Sequence, residues 1–414
     1  MRILYVATQY PLPVNNGVKM RVWSLLRAIA GAGHEITLAT FAEPQDADGT
    51  EDELRTVCKD CEIVRRRTES LSGSTNYIAR LAGVLSPLPF TLGRCRSDEM
   101  RAVLERRLNG GGFDLLLCDN VFTTVNLPPT SLPLMLNSHN VEYVVPQRYA
   151  EQQTNPLKAI YARMEAGKLR RYEAAVSKRA LLVTVCSRLD GEILQQLCPG
   201  LKTAVAPNVV DVHEYEVTAD EDPDTIVYQG GMDWLPNRDA LEYFVRAIFP
   251  LVKKEVPNAR LIAAGRNPSS EFRARFFGVS ALEFTGTLAD LRPVVGKAAV
   301  SIVPLRVGSG TRLKILESAA MGKAIVSTTI GAEGLDFAPG EEILIADDPA
   351  TFAGSVVELL RSPARRKAIG RAARNRVARD YDVSTLQRSV AEIFRSLEQS
   401  IGSRAGKAQL APVG

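Results

Sequence analysis

The chain alternates between short apolar runs rich in β-branched residues and longer segments in which apolar positions recur at helical spacing. The first unit comprises the runs RILYVAT (2–8) and EITLATF (35–41), separated by the periodic segment GVKMRVWSLLRAIAGAGH (17–34). Short runs bounded by glycine or polar turns are typical of buried strands, and the periodic segment is typical of an amphipathic helix. The pattern therefore predicts a strand, a helix and a second, parallel strand.

This alternation recurs in both halves of the chain. In the first half it predicts strands at FDLLLCD (113–119), LPLMLNS (132–138) and ALLVTVCS (180–187), a long helix over 155–180 and a helix at RLDGEILQQL (188–197). In the second half it predicts strands at TIVYQG (225–230), ARLIAAG (259–265), LEFTG (282–286), AVSIVPL (299–305), KAIVSTT (323–329) and EILIAD (342–347). Because each half has its own strand series, the predicted fold class is α/β, with two doubly wound parallel sheets covered by helices.

The length of the chain, 414 residues, exceeds the size at which a single hydrophobic core usually stops growing. An acidic, proline-bearing stretch that is poor in apolar residues separates the two strand series. We therefore predict a first domain over 1–207, a linker over 208–224, a second domain over 225–383, a helix over 384–400 that packs back toward the first domain, and a disordered tail over 401–414.

Composition narrows the location and the partners. The opening MRILYVATQYPLP has too short an apolar run for a signal peptide, and no stretch approaches the roughly 18 uninterrupted apolar residues of a membrane span. The net charge of +4 is too dilute over the chain to indicate a nucleic-acid partner. The sequence therefore predicts a cytoplasmic protein, with its six cysteines reduced.

Three short patterns resemble parts of metal sites, but none has the position or the additional ligands that a metal site needs. The Asp-x-Asp spacing occurs at 46–48 and 222–224, in polar connecting segments away from predicted strand ends. The pair in CKDC (58–61) has no second pair at zinc spacing. We therefore predict no metal.

A glycine-rich junction after the strand AVSIVPL is the first candidate for chemistry. The helix TRLKILESAAM (311–321) follows it, with Ser309 or Thr311 as the expected N-cap. In open parallel sheets, ligands bind beyond the carboxyl ends of the strands, where helix N-termini direct free N–H groups outward. The junction therefore predicts an anion-binding site.

Spacing on the same helix separates an apolar face from a charged one. Leu313, Leu316 and Ala320 fall on one face, which we expect to pack on the sheet. Lys314 and Glu317 share another face, where they could meet a phosphate and sugar hydroxyls. An ordinary Lys–Glu pair on a solvated helix is the open alternative.

These residues resemble those of a known family. The segment PLRVGSGTRLKILESAAMGKAIVSTTIGAEGL (304–335) resembles the donor-binding segment of the retaining family-4 glycosyltransferases, which have the GT-B fold. Other segments resemble the same family in the same order, namely the opening 1–41, NSHNVEYV (137–144), TVCSRLDGEIL (184–194) and APNVVDV (206–212). YQGGMDWLPNRDALEYF (228–244) is similar to a branch found beside bacterial exopolysaccharide genes. The resemblance covers about residues 1–400.

The resemblance implies a GT-B protein with two Rossmann-like domains facing a central cleft. It implies transfer of a sugar, with retention of configuration, from a nucleotide-sugar to a hydroxyl of a glycan or lipid-linked acceptor. Bacterial surface polysaccharide or glycoconjugate biosynthesis is the implied context. The reaction would need no Ser-His-Asp or paired-carboxylate constellation, because the departing diphosphate helps to deprotonate the acceptor while the protein positions both substrates. The resemblance implies a metal-independent enzyme with no cofactor besides its nucleotide-sugar substrate.

The resemblance also assigns donor-binding residues. Glu317 matches the second glutamate of the Glu-x7-Glu motif and would bind the ribose hydroxyls. Ser309 stands where many relatives have the first glutamate, which puts the identity of the sugar in doubt. The backbone N–H groups of Gly310 and Thr311 would bind the diphosphate.

Cationic residues are also displaced relative to the family pattern. Relatives often carry an arginine and a lysine where this chain has Met232 and Asn237, next to the donor-binding Gly231. We expect Arg312 and Lys314 to supply the missing positive charge. Surface cations without that role are the open alternative.

Four further positions complete the implied site. His139, one of three histidines, would lie against the donor sugar as a catalytic group together with Glu317. Gly17 would allow close approach of the backbone to phosphates or acceptor, and Gly265 and Leu288 would lie near the base and ribose. A structural histidine at the end of a strand and a plain turn glycine are the alternatives for His139 and Gly17.

Other functions stay open. The protein could be a non-catalytic component of a polysaccharide-assembly complex that binds a nucleotide-sugar or a partner protein, a reading that Ser309 favours. A GT-B nucleotide-sugar epimerase is a further alternative, although no paired acid–base carboxylates stand out. The segment 76–100, with Arg80, Arg94 and Arg96, predicts peripheral contact with the inner face of the membrane, or else only a helical hairpin whose apolar face is core.

Overall fold

The structure is a computed structural model that divides into two compact units. It describes residues 1–43, 46, 49–65, 83–84, 86–217, 220–266 and 268–409, with side chains as far as residue 402. Unit 1 comprises Met1–Pro207 and Leu386–Gly414, and unit 2 comprises Asn208–Thr385.

Unit 1 contains a seven-stranded sheet in the described part of the chain. Its strands are β1 (Arg2–Ala7), β2 (Glu35–Ala42), β3 (Asp60–Arg65), β4 (Leu115–Asp119), β5 (Leu134–Asn137), β6 (Leu182–Val185) and β7 (Thr203–Val205). They pair in the order β3-β2-β1-β4-β5-β6-β7, and every pair is parallel. Every residue of β4 is buried, as expected for a parallel sheet covered on both faces.

Helices connect these strands. They are α1 (Gly17–Gly31), α2 (Glu51–Arg55), α3 (Phe90–Cys95), α4 (Asp98–Asn109), α5 (Val144–Glu151), α6 (Pro156–Arg179) and α7 (Arg188–Leu197), and a 3₁₀ turn spans Val121–Asn126. The N-cap of α1 is Asn16, whose side chain accepts a hydrogen bond from the Lys19 N–H. Val22, Leu26 and Ile29 form the buried face of this helix.

Unit 2 contains a six-stranded sheet in the described residues. Its strands are β8 (Asp222–Gln229), β9 (Arg260–Ala264), β10 (Leu282–Gly286), β11 (Ala298–Val303), β12 (Ala324–Ser327) and β13 (Leu344–Ile345). They pair in parallel in the order β10-β9-β8-β11-β12-β13. The central strand β11 is buried along its whole length.

The helices of unit 2 follow the same alternation. They are α8 (Leu235–Tyr243), α9 (Phe249–Glu255), α10 (Ser270–Ala274), α11 (Arg292–Lys297), α12 (Leu313–Ala320), α13 (Thr329–Ala332), α14 (Pro349–Arg361) and α15 (Pro363–Asp380), with a π-helical turn at Phe244–Ile248. The predicted α/β class with two doubly wound sheets is confirmed.

The final helix, α16 (Val383–Gln409), differs from its predicted bounds. From Leu386 onward it belongs to unit 1. There the ring of Phe394 contacts that of His34 in the same unit, with ring centres 4.8 Å apart and the two planes tilted by 32°. The backbone of residues 401–409 is helical, where the sequence predicted a disordered tail, and residues 410–414 lie outside the described part.

Other boundaries also moved. Strands β3 and β7 were not predicted, and β8 begins at Asp222, ahead of the expected start at residue 225. The connection from residue 208 to 221 contains a 3₁₀ turn at Val212–Glu214. In the described residues, no helix has the length and apolar character needed to cross a bilayer.

Candidate active site

In each sheet the strand order reverses beside the first strand. The reversal lies between β1 and β4 in unit 1 and between β8 and β11 in unit 2. At such a point the loops leaving two neighbouring strands diverge, which opens a crevice at the carboxyl ends. Lys314 and Glu317 follow β11, and Asp119 ends β4, so the candidate site residues lie at or beside these two points.

In unit 2 the loop after β11 is held by its own arginine. The Arg312 side chain is buried, and its Nη1 donates to the carbonyl oxygens of Ser309 and Gly310, the latter at 2.8 Å. Gly310 has φ +73°, a conformation that favours glycine. Thr311 accepts a hydrogen bond of 2.8 Å from Asn208. In this arrangement the guanidinium of Arg312, which the sequence analysis expected to bind phosphate, holds the backbone of its own loop.

Helix α12 begins later than predicted, and its start is not capped by a side chain. Arg312 occupies the N-cap position without a capping hydrogen bond, so the expected caps Ser309 and Thr311 were wrong. The first turn contains no acidic residue. The first N–H groups of a helix have no partner within the helix, and together with the positive end of the helix dipole they suit an anion.

The buried face of α12 is also rotated from the prediction. Leu316 and Ala320 are buried as expected, but Leu313 is only half-buried, and Ile315 and Ala319 take its place in the core. The rotation leaves the charged positions of the helix half-buried rather than fully solvated.

Lys314 lies in a polar cluster with a residue that the family pattern marked as a departure. Its Nζ donates to Asn237 Oδ1 at 2.8 Å and lies 4.7 Å from the ring centre of Tyr228. Asn237 in turn donates to the carbonyl oxygen of Gly231 at 2.9 Å. Burial, and then the charge of Arg312, lowers the pKa of Lys314 to about 7. We call Lys314, Asn237, Tyr228 and Gly231 the lysine cluster.

Glu317, one turn along the same helix, contacts a residue that sequence reasoning missed. The hydroxyl of Tyr215 donates to Glu317 Oε1 at 3.4 Å. The Arg292 guanidinium lies 5.8 Å from the centre of the Tyr215 ring and donates to the carbonyl oxygen of Glu214 at 2.8 Å. Burial raises the pKa of Glu317 to about 7. Tyr215 lies between the two strand series, where the pattern gave no signal for a site.

Two predicted base-side residues lie farther along the sheet. Gly265 follows β9, and Leu288, partly exposed, follows β10. The strand order separates β10 from β11 by three steps, or about 14 Å at ordinary strand spacing. The connection that contains Leu288 nevertheless leads to Arg292, whose guanidinium lies 5.8 Å from the ring centre of Tyr215, the partner of Glu317, so this connection approaches the charged face of α12.

Gly265 has a structural requirement of its own. A Cβ atom at this position would lie 2.1 Å from the carbonyl oxygen of Gly230, so the ends of β8 and β9 can meet only around a glycine. Replacing Gly265 with alanine is expected to lower the free energy of unfolding of unit 2 by about 3 kcal/mol through overpacking. Urea titration followed by Trp234 fluorescence in a Trp23→Phe background would measure it.

The matched control is Gly354→Ala in α14. A Cβ there meets open space, so alanine should raise stability by about 0.5 to 1 kcal/mol through helix propensity. Equal urea midpoints for the Gly265→Ala and Gly354→Ala variants would contradict the close approach at Gly230.

In unit 1 a buried carboxylate collects three donors at the end of β4. Asp119 Oδ1 accepts hydrogen bonds from the Tyr5 hydroxyl at 2.8 Å and from Asn137 at 2.7 Å. The His139 Nε2 lies 2.8 Å from the same oxygen. Burial opposes ionisation of Asp119, but His139 and the hydrogen bonds prevail and lower its pKa. The second oxygen, Oδ2, has no partner in the described residues. We call these four residues the aspartate network.

Arg21 of α1 extends the aspartate network. Its Nη2 donates to Asn137 Oδ1 at 2.9 Å, and its Nη1 donates to the carbonyl oxygen of Pro207 at 2.8 Å. Only 3% of this residue is exposed. A buried guanidinium is costly unless its donors find partners, and Asn137 links Arg21 to the Asp119 carboxylate by accepting from the one and donating to the other.

The backbone leaving β4 adopts an unusual conformation. Asn120 has φ +83°, in the described chain the one positive φ outside glycine. Its N–H donates to the carbonyl oxygen of Asn137 at 2.7 Å, and its side chain accepts from the Phe122 N–H at 2.9 Å. Asparagine tolerates this region better than most residues. Asn120 is the N-cap of the 3₁₀ turn Val121–Asn126, which therefore begins directly after Asp119 and Asn120.

A second buried carboxylate, that of Glu173, accepts hydrogen bonds from the backbone that follows His139. The two oxygens of Glu173 accept from the backbone N–H groups of Glu142 and Tyr143 at 3.0 and 3.2 Å. Burial, and then the neighbouring Glu142, raises the pKa of Glu173 to about 8. Glu142 is also bonded to Asn140 at 3.2 Å. This packing leaves little freedom to the histidine turn.

Gly17, the remaining predicted residue of unit 1, is exposed and begins α1. The structure thus divides the predicted residues between the two units, with Gly17 and His139 in unit 1 and the others in unit 2. Asp119 was missed, although it ends the predicted strand FDLLLCD, where a buried acid facing a strand-end histidine would have been a usable signal.

The candidate metal patterns are occupied by other contacts. Asp46 Oδ1 accepts from Lys19 Nζ at 2.7 Å, and residue 48 lies outside the described part. Asp222 is the first residue of β8, not part of a connection, and bonds Arg260. All six cysteines are free, and burial raises the pKa of Cys61 to about 12. The described residues contain no group of three acidic, histidine or cysteine side chains suited to a metal ion.

Comparison with known proteins shows what unit 2 is similar to. Residues 223–362, within unit 2, match the family described as Glycosyl transferases group 1. Over 396 residues the chain is 23% identical to an uncharacterized 44.6 kDa protein in the cps region of Klebsiella pneumoniae, covering 92% of this chain and 96% of that one. It is also 23% identical to the glycogen synthase of Mycobacterium tuberculosis, covering 95% and 94%.

Solved structures share the fold. The sucrose-phosphate synthase of Thermosynechococcus elongatus aligns with a TM-score of 0.72 at 18% identity, covering 97% of this chain and all of that one. HepE of Anabaena, solved with UDP-glucose, aligns with a TM-score of 0.62 at 13% identity, covering 96% and 100%. The two Rossmann-like units therefore have the GT-B architecture.

Proposed function

We propose that the protein is a glycosyltransferase that moves a sugar, with retention of configuration, from a nucleotide-sugar to a hydroxyl of a glycan or lipid-linked acceptor. The observation that carries the proposal is the uncapped N-terminus of α12 with Lys314 beside it, inside the segment that matches the group 1 family. These groups offer N–H donors and a cation to a diphosphate.

Glu317 supports the nucleoside part of the proposal. It is half-buried one turn after Lys314, and its bond to Tyr215 is long enough to be exchanged for a ribose hydroxyl. HepE binds UDP-glucose and has the same fold, which favours UDP-sugars as the first donors to test.

The chemistry that we propose is positional. The bond between the anomeric carbon and the diphosphate oxygen breaks, and its electron pair leaves with the diphosphate. The acceptor oxygen attacks the same face and gives its proton to the departing phosphate. Lys314 and the N–H groups of α12 would stabilise the leaving charge as it develops. His139, fixed by Asp119, would bind the donor sugar near the reacting carbon.

Surface polysaccharide or glycoconjugate biosynthesis is the proposed context. The support is the relative in the cps region of Klebsiella pneumoniae, matched along nearly its whole length. Membrane contact stays a prediction, because part of its segment, residues 76–82 and 85, lies outside the described residues.

Calorimetry with UDP, GDP, ADP and dTDP, each alone and as sugars, tests the donor site. One nucleotide should bind selectively, and Glu317→Ala should raise its dissociation constant by about 10-fold to 100-fold, the usual cost of a hydrogen bond to a charged group. Glu358→Ala, an exposed change on α14, serves as the control.

Release of free nucleotide from the bound sugar then separates an enzyme from a binding protein. Slow donor hydrolysis that stops in the His139→Ala variant would support transfer. Tight binding without turnover, with or without added glycan, would favour the non-catalytic alternative. The absence of binding to all four nucleotides would overturn the proposal.

A further inference from the structure

A polar cavity in unit 1 is separate from the donor-binding groups of unit 2. Its volume is about 280 Å³, at the small end of the range of ligand pockets. Arg96 and Arg101 line it together with Thr124 and Tyr172. We propose that this cavity binds a phosphate ester carried by the acceptor, a proposal that rests on the transferase function proposed above.

The lining has the chemistry of a phosphate site. Arg96 is exposed in the cavity, and the described ion pair of Arg101 with Glu105 uses only its Nε, at 3.0 Å. Thr124 Oγ1 donates to the carbonyl oxygen of Val121 at 2.7 Å and lies 3.0 Å from the Tyr172 hydroxyl. Tyr172 is therefore the donor of that pair, and its hydroxyl can turn toward a bound oxygen instead. Two guanidinium groups outnumber the one carboxylate in the lining, Asp98. Forked arginine donors and hydroxyls are a usual set for a phosphoryl group.

The frame of the cavity is rigid. Asn126, which is 1% exposed, accepts from the Ser97 N–H at 2.7 Å and donates to the Cys95 carbonyl oxygen at 2.9 Å. These two bonds tie the 3₁₀ turn after β4 to the start of α4 and hold Arg96 and Arg101 at the cavity. A site held by buried hydrogen bonds loses less entropy when a ligand binds.

The position of the cavity relates it to the acceptor. The 3₁₀ turn begins two residues after Asp119, at the carboxyl end of β4. Tyr172 precedes Glu173, whose oxygens bind the turn that contains His139. The cavity and the aspartate network therefore share two structural elements, and a ligand in the cavity would lie on the histidine side of unit 1.

Two sources could supply the phosphate, and two probes separate them. Glucose 6-phosphate represents a phosphorylated sugar, and geranyl phosphate represents a lipid phosphate, for which Leu88 adds an apolar wall. Glucose without phosphate is the negative probe. Binding to the full chain is measured by calorimetry with UDP present, so that unit 2 is occupied.

The variant is Arg96→Gln/Arg101→Gln. Arg94→Gln is the control, because Arg94 is also an exposed arginine of this region but does not line the cavity. We expect one phosphate probe to bind, glucose not to bind, and the double variant to weaken the phosphate probe by at least about tenfold, as for lost charged hydrogen bonds. Arg94→Gln should match the wild type.

The experiment distinguishes failure of the cavity proposal from failure of the proposed transferase function, because UDP binding and binding of the phosphate probe are measured separately. Retained UDP binding by the double variant shows that it folds and that the donor site is intact. With UDP bound, failure of both phosphate probes to bind at millimolar concentration would overturn the cavity proposal alone. Equal weakening by Arg94→Gln and by the double variant would also overturn it, because the effect would then be general charge.

Discussion

Replacing Lys314 with glutamine is expected to raise the dissociation constant of the bound nucleoside diphosphate by about 10-fold to 100-fold. A charge-assisted contact to phosphate contributes about 1.5 to 3 kcal/mol, and the glutamine retains a donor without the charge. Its amide can still bond Asn237, which now accepts from Lys314 at 2.8 Å, so the fold of the lysine cluster should survive. Calorimetry on both proteins measures the difference.

The pH dependence makes this prediction specific. The pKa of Lys314 is about 7 in the free protein, and a bound diphosphate should raise it because it favours the ammonium. Binding should therefore weaken as pH rises from 7 to 9, by up to about tenfold per pH unit. The nucleotide phosphate titrates as well, so the Lys314→Gln protein provides the reference profile, in which this weakening is lost.

The control is Lys254→Gln, which removes an exposed lysine from α9 of the same unit. Its dissociation constant and pH profile should follow the wild type. If Lys314→Gln and Lys254→Gln bound the nucleotide equally well, or if the wild-type affinity were flat above pH 7, Lys314 would not be a phosphate ligand.

The fold could be predicted because apolar runs and helical spacing alternate clearly in both halves. The strands that escaped prediction lacked that signal. DCEIVR (60–65) carries three charges, and TAV (203–205) is too short to stand out. Both lie at the edges of the sheet, where tertiary pairing decides the conformation more than the local pattern does.

The sequence could predict on which face of a helix a site residue lies, but not which tertiary contacts its side chain makes. The spacing after β11 correctly separated Lys314 and Glu317 from the core face of α12. It could not show that Arg312 would turn back onto the carbonyl oxygens of its own loop, because side-chain direction depends on tertiary contacts. Asn237 looked like a loss of charge and is instead the hydrogen-bond partner of Lys314.

The pattern of apolar and polar positions could not predict contacts between residues that are far apart in the sequence. Tyr215 and Glu317 are separated by 102 positions, and Tyr5 and Asp119 by 114. Only the parallel register of β1 beside β4 brings Tyr5 to the carboxylate. A strand-end acid could have been suspected from sequence, but its partners could not have been named.

Asp119→Asn is expected to lower the rate of transfer by about a hundredfold, while the Michaelis constant for the donor stays within about threefold. Such a loss is typical when a residue that orients a catalytic group is neutralised. An amide at this position would present an N–H to groups that donate to Oδ1 now, so His139 would lose its fixed orientation. Asp119 would thus act as a positioning residue, through the histidine.

A double-mutant cycle with His139→Ala tests that route. If Asp119 acts through His139, then Asp119→Asn should cost almost nothing further in the His139→Ala background. Tyr5→Phe is the matched control, because it removes another hydrogen bond to the same oxygen without touching the histidine. It should lower the melting temperature by a few degrees, about 1 kcal/mol, and leave the rate within about threefold. A rate loss in Tyr5→Phe as large as in Asp119→Asn, or additive losses in the cycle, would mean that the aspartate network only stabilises the fold of unit 1.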